Sequence, residues 1–199
     1  MSAAEQSDAN KELPLWDLSD LYAGIDDPQL ERDLNAAAAR AELFAKTFAG
    51  RLGELAGQEL AASIAEYEGL DEILSKVMSY AQLVYAADVS DSEIARFYQT
   101  CHERVNAIST QLLFYSLELN RLEEAHLQAL IAGSTELGRY APWLRDVRAL
   151  RAHQLSDELE TLLHEKSVAG RAACASQLRA RCCALEGQLA AALQQSQAA

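Results

Sequence analysis

The sequence predicts an all-α protein: a long antiparallel helical hairpin with additional shorter helices. Three observations carry that expectation. Ala, Leu, Glu, Gln and Arg, all strong helix formers, dominate a chain of 199 residues that holds only 3 prolines and 9 glycines. Apolar residues recur at steps of three and four over long stretches. No segment of five or more residues combines strand alternation with turn chemistry at its ends. A repeat of fixed period is also lacking, so a solenoid is not expected.

The elements follow in order. Asp26 or Asp27 can cap a helix whose first turn holds Pro28, where a missing N–H costs nothing. Leu30, Leu34, Ala37, Ala41, Phe44 and Phe48 then form one stripe, and Gly50, Gly53 and Gly57 break it. A second stripe, Leu60, Ile64, Tyr67, Leu70, Leu74, Val77, Ala81 and Val84, predicts a helix from about Gln58 to Ala87. Ser90 with Glu93 reads as a capping box opening a third helix over about 91–122. Its stripe is Ile94, Tyr98, Cys101, Val105, Ile108, Leu112, Tyr115, Leu119 and Leu122. The short connection at Asp88, Val89 and Ser90 makes the second and third helices antiparallel neighbours. Beyond them the elements shorten: a helix over 123–132, one opened by Pro142 with Trp143, Val147 and Leu150 facing inward, and one capped by Ser156. In the tail, Leu178, Cys182, Leu185, Leu189 and Leu193 can line one helical face that frays at its end.

Composition bounds the function. Half the chain is hydrophobic and its length suits one domain. No run of 18 uncharged apolar residues is long enough to span a membrane, and the polar start, Met1 to Glu12, lacks a signal-peptide core. A cytoplasmic protein is the expectation. The formal charge of −13 argues against nucleic acid as a partner, since phosphate binding needs clustered Lys and Arg. Cys101 stands alone while Cys174, Cys182 and Cys183 crowd the tail, which reads as reduced thiols and not a disulfide framework.

Two strings resemble the start of a zinc-binding H-E-x-x-H helix, His102-Glu103 and His164-Glu165. In each the second histidine is missing, its place taken by Asn106 and Val168, so both read as helix-surface pairs. Cys182-Cys183 is not a C-x-x-C site, and Cys101 on the apolar stripe reads as a small core residue. His126 and His153 have no activating partner placed by sequence. Tyr80, Tyr85, Tyr98 and Tyr115 read as packing between long helices. No Walker loop, G-x-S-x-G elbow or dinucleotide fingerprint occurs.

Three strings carry a more specific likeness. Leu15-Trp16-Asp17-Leu18-Ser19-Asp20-Leu21-Tyr22 resembles the W-x-L-x-D-L-Y entry of oligoendopeptidase F-like zinc peptidases of the thimet-type (M3) family. Ser79 to Asp88 is similar to a Y-A-x-L-x-x-x-x-D segment of that family. His153 to Leu163, followed by Glu165-Lys166-Ser167, resembles its H-x-L-S-x-x-x-E-x-L-L segment. The likeness runs from about Leu13 to Ala173 and reaches only the N-terminal helical part of a longer enzyme. The organisation expected from it is an N-terminal loop segment (1–26), a helical lobe (27–173) and a divergent helical or frayed tail (174–199).

The resemblance implies a lobe that walls and gates the channel through which short peptides reach a zinc site. In the family that site lies far downstream. No catalytic, cofactor-binding or metal-ligating residue carries over to this chain, and zinc is expected of the family, not of these residues. The expected partner is the catalytic half of a family enzyme, or a second copy of the chain through self-association. After Ala173 the tail departs from the family pattern, as a truncated or frameshifted end would. The competing expectation is a stand-alone helical interaction module without enzymatic activity.

Overall fold

The computed structural model describes residues 16–172, together with Cys174, Leu178, Arg181, Cys182 and Leu185. Helix α1 runs Pro28–Phe48, and Asp27 is its cap: the carboxylate accepts from the Gln29 N–H at 2.8 Å. Leu30, Leu34, Ala37, Ala41 and Phe44 are buried, as their spacing predicts. The chain leaves α1 through Gly50 at φ +76°, a conformation that L side chains rarely adopt. The Gly50 N–H donates to Glu118 at 2.7 Å, which ties this turn to a helix far along the chain.

Helix α2 (Gly57–Ala87) begins at the glycine that the sequence suggested as a breaker. A side chain there would stand 2.8 Å from Ser134 Cβ and 3.1 Å from the Leu130 carbonyl, so the small residue permits close approach of a later helix. At the other end of α2, Asp88 accepts from both the backbone N–H and the hydroxyl of Ser90. Helix α3 (Ser92–Arg121) is therefore not opened by a Ser90–Glu93 box. Asp91 caps it instead, accepting from the N–H groups of Glu93 (2.7 Å) and Ile94 (3.2 Å). The carboxylate one residue closer to the helix is the stronger acceptor and offers a charge suited to the positive end of the helix dipole.

The antiparallel α2–α3 pair forms, and α1 packs along both of its members. The result is an up-down-up three-helix bundle, broader than a hairpin with accessories. Cross-contacts fix the directions. Arg40 pairs with Glu66 at 3.0 Å and Lys76 with Asp33 at 3.8 Å, so α1 runs against α2. Arg104 pairs with Glu31 at 2.5 Å near the start of α1 and Glu118 meets Gly50 at its end, so α1 and α3 run together.

An aromatic layer crosses the middle. Tyr115, fully buried, meets Phe44 edge-on at 5.0 Å and stacks on Tyr67 at 4.9 Å. Its hydroxyl lies 2.7 Å from Ser63 Oγ, which itself donates to the Leu60 carbonyl at 2.8 Å, so Tyr115 is the donor to Ser63. At one end Tyr22 reaches back from the N-terminal segment, donates to Asp33 at 2.8 Å and lies edge-on to Tyr80.

Four shorter helices follow: α4 (Glu124–Gly133), α5 (Thr135–Gly138), α6 (Ala141–Val147) and α7 (Asp157–Lys166). Leu144, not Leu150, is the deeply buried residue of the segment that Pro142 opens. The chain tightens into a 3₁₀ turn at Arg148–His153, the change of pitch breaks the stripe, and Leu150 is left 69% exposed. Arg148 anchors that turn by donating to the carbonyls of Leu119 and Leu122 at the end of α3 and by pairing with Glu124. Ser156 precedes α7 but its side chain makes no capping bond; Glu160 reaches back to the Leu155 N–H at 2.9 Å instead. Of the tail positions expected to share one face, Leu178, Cys182 and Leu185 are exposed, and Leu189 and Leu193 lie outside the described residues.

Candidate functional site

Helix α7 lies against α3 with its apolar side turned to solvent. Its spacing places Leu159, Leu162 and Leu163 on one side, with Leu155 just before them, and the four are 47–57% exposed. About half of each of these residues is open to solvent. Complete burial of a leucine is worth roughly 1.5–3 kcal/mol, so this face forgoes a substantial stabilisation.

The side that meets α3 is polar. Asp157 pairs with Arg121, and Ser167 donates to the Asn106 side-chain carbonyl at 3.1 Å. Between them His164 Nε2 lies 2.8 Å from Ser109 Oγ. The Ser109 hydroxyl also lies 3.1 Å from the Asn106 backbone carbonyl, and the imidazole tautomer decides which atom donates between Ser109 and His164. Burial in this seam lowers the His164 pKa, opposed by the neighbouring Glu165 carboxylate. The serine and histidine thus hold two helices together.

The residues that tempted a metal reading are spread apart. His102 stacks on Tyr98, ring centres 5.9 Å apart, on α3. Asn106, in the position of a second ligand, uses its side chain on Ser167, and His164 is engaged with Ser109. Among the described residues no group of three His, Cys, Asp or Glu side chains gathers within reach of one metal ion. Cys101 is buried, and burial pushes its thiol up to about 11, well away from a reactive thiolate. Cys174 and Cys182 are exposed thiols, and Cys183 lies outside the described residues. Tyr80, Tyr85 and Tyr115 are buried, and Tyr98 stacks on Tyr85 at 5.0 Å. No described helix is long and apolar enough to cross a membrane.

Sequence reasoning placed the leucines of α7 in a motif but not on a surface. The signal was present in the string itself. Asp157, Glu160 and His164 alternate with Leu159, Leu162 and Leu163 around the same short helix, so one set had to face out.

Residues 118–175 match the family model of the peptidase M3 N-terminal region, described as Oligopeptidase F. The match runs from the last turn of α3 through α7 and includes the exposed leucines. It takes in the His153–Ser167 string, while the Leu15–Tyr22 and Ser79–Asp88 strings lie outside it. No curated protein and no solved structure matches the chain.

Proposed function

From the oligoendopeptidase F-like N-terminal region of the M3 family at residues 118–175, we propose that this chain is the helical lobe of a zinc metalloendopeptidase acting on short peptides. In this reading the lobe supplies a wall and gate of the substrate channel. The chemistry belongs to a zinc-bearing half that packs against it. The lobe's own part, in this reading, is to position the substrate and exclude folded chains. The metal, held in the other half, supplies Lewis-acid activation there.

One observation carries the proposal. Within the matched stretch, α7 spends its polar side on the bundle and leaves Leu155, Leu159, Leu162 and Leu163 uncovered. A soluble monomer has little reason to keep such a row in water, whereas a lobe that rests on a second half does. The bundle beneath is a rigid support, since Tyr115, Phe44 and Leu112 lock α1 and α3.

The test is to mix the chain with the separately produced zinc-bearing half of an oligoendopeptidase F and to follow cleavage of a quenched fluorescent peptide. Activity that needs both pieces and zinc, and that falls at least tenfold with L162E/L163E, supports the proposal. Association without peptide cleavage would leave the stand-alone interaction module as the better reading. A monomer that neither binds the half nor restores cleavage overturns the lobe reading.

A further inference from the structure

Within the aromatic layer Tyr67 also meets Trp143 of α6, with ring centres 6.1 Å apart. Between α2 and α6 lies a cavity of about 220 Å³, lined by Ile64, Tyr67, Glu68, Asp71, Tyr140 and Trp143. Three aromatic rings and two carboxylates converge there, and none of the lining residues is basic. The Tyr140 hydroxyl donates to Glu68 at 3.3 Å across the mouth, which fixes both groups. Negative charge and aromatic rings together attract an organic cation, through Coulomb attraction and through the ring quadrupole. Among the described residues the protein's own cation–ring contact is elsewhere, with Lys76 over Tyr22.

A second groove continues from this cavity, sharing Glu68 and Tyr140 and passing Arg139 beside the small face of Ala61, Ala62 and Ala65. Glu136 and Gln58 line the same groove, so it carries both signs of charge. Arg139 can donate to a carbonyl, and Glu136 can accept from an N–H. A peptide backbone, which alternates those two groups, matches such a lining.

We propose that the cavity between α2 and α6 binds the lysine or arginine side chain of a short peptide, whose backbone continues along the groove past Arg139. The pocket volume lies below the range of drug-sized sites, which suits one side chain and not a whole ligand. The overall charge of −13 adds long-range attraction for such a peptide. The site needs only residues of this chain, so it stands whether or not a catalytic half exists.

Trp143 gives the readout. The chain has 2 tryptophans, and Trp16 is 75% exposed, so Trp16→Phe leaves Trp143 as the sole indole reporter at little structural cost. Its fluorescence is titrated with Ala-Ala-Arg-Ala-Ala, with the same peptide carrying neutral citrulline for arginine, and with spermidine. The arginine peptide should give a saturable change, with citrulline about tenfold weaker or worse and spermidine weaker than arginine. Glu68 and Asp71 are exposed, so E68Q/D71N should leave the melting temperature unchanged while lowering affinity for the arginine peptide about tenfold. Equal binding of the arginine and citrulline peptides, no saturable binding, or an unaffected E68Q/D71N variant overturns the proposal. Spermidine binding more tightly than the arginine peptide overturns the assignment to a peptide.

Discussion

Leu112 and Leu163 are the same residue in opposite surroundings, and truncating each to alanine separates the core from the outward face. Leu112 sits in the α3 seam at 4% exposure, within the cluster shared by all three long helices. Removing its isobutyl group loses transfer energy and leaves a cavity that rigid neighbours cannot fully close, a cost of about 2–5 kcal/mol. For a chain of this size, each kcal/mol moves the melting temperature by about 2–4 °C, so about 3 kcal/mol corresponds to a fall of about 9 °C. Leu163 is 57% exposed on α7. Its truncation removes little buried area and replaces leucine by a slightly better helix former, so the change should stay within about 0.5 kcal/mol, or under about 2 °C. Thermal melts followed by far-ultraviolet circular dichroism, with all three proteins at the same concentration, read both numbers. Equal melting of Leu112→Ala and the parent would show that the seam is not buried. A Leu163→Ala loss as large as that of Leu112→Ala would show that α7 buries its leucines in the isolated chain, removing the ground for a partner face.

Two further outcomes follow from single contacts. Ser63→Ala removes the acceptor of the Tyr115 hydroxyl in a site without water access, so it should cost about 1–3 kcal/mol, while S63A/Y115F should recover part of that loss. His164 has a pKa lowered by burial in the α3–α7 seam, so the unfolded chain binds more protons just below the ordinary value of 6.5. Its contribution is therefore complete above that value and is lost as the pH falls through the depressed folded pKa. Protection factors of α7 amides, taken relative to the intrinsic exchange rate at each pH, should fall on acidification across that window, and His164→Gln should flatten the dependence; a pH response identical in the variant would assign it to other groups.

The long helices were legible because burial imposes its period on the sequence. Every residue of the α1 stripe from Leu30 to Phe44 is buried, and so are Cys101, Ile108, Leu112, Tyr115 and Leu119 on α3. Boundaries were less legible, because neighbouring polar residues compete for the same cap. Ser90 and Asp91 can both accept from the first turn of α3, and the chain settles the matter through Asp88, which takes up the Ser90 hydroxyl. The third long partner was visible as a stripe but not as a neighbour, since its contacts with α3 join Glu31 to Arg104 and Gly50 to Glu118, pairs far apart in sequence. Leu150 shows the limit of extrapolating a period through a change from α to 3₁₀ pitch. The groove beside Trp143 left no motif at all, because Tyr67, Glu68 and Asp71 come from α2 while Tyr140 and Trp143 lie more than one helix away.

The orientation of α7 is set by both surfaces of the seam, and this gives the exposed leucines their meaning. Rotating α7 by half a turn would hide Leu159, Leu162 and Leu163 against α3 and return Asp157 and His164 to water. Hydrophobic burial alone would favour that arrangement. It would also strand the groups that α3 offers at this face. Ser109 would lose His164, Asn106 would lose Ser167, and Arg121 would lose Asp157. These polar groups are half-buried or at the rim, where water replaces a lost partner at modest cost. Their loss does not outweigh several leucines by itself. The connection adds to these polar contacts: the 3₁₀ turn anchored by Arg148 on the end of α3 and the Gln154 amide on the Leu117 carbonyl bring the start of α7 beside Arg121, where Asp157 pairs with it. The outward apolar row thus rests on the anchored turn and the polar seam together. Arg148, 7% exposed at its side chain, is accordingly one residue on which presentation of the α7 face depends.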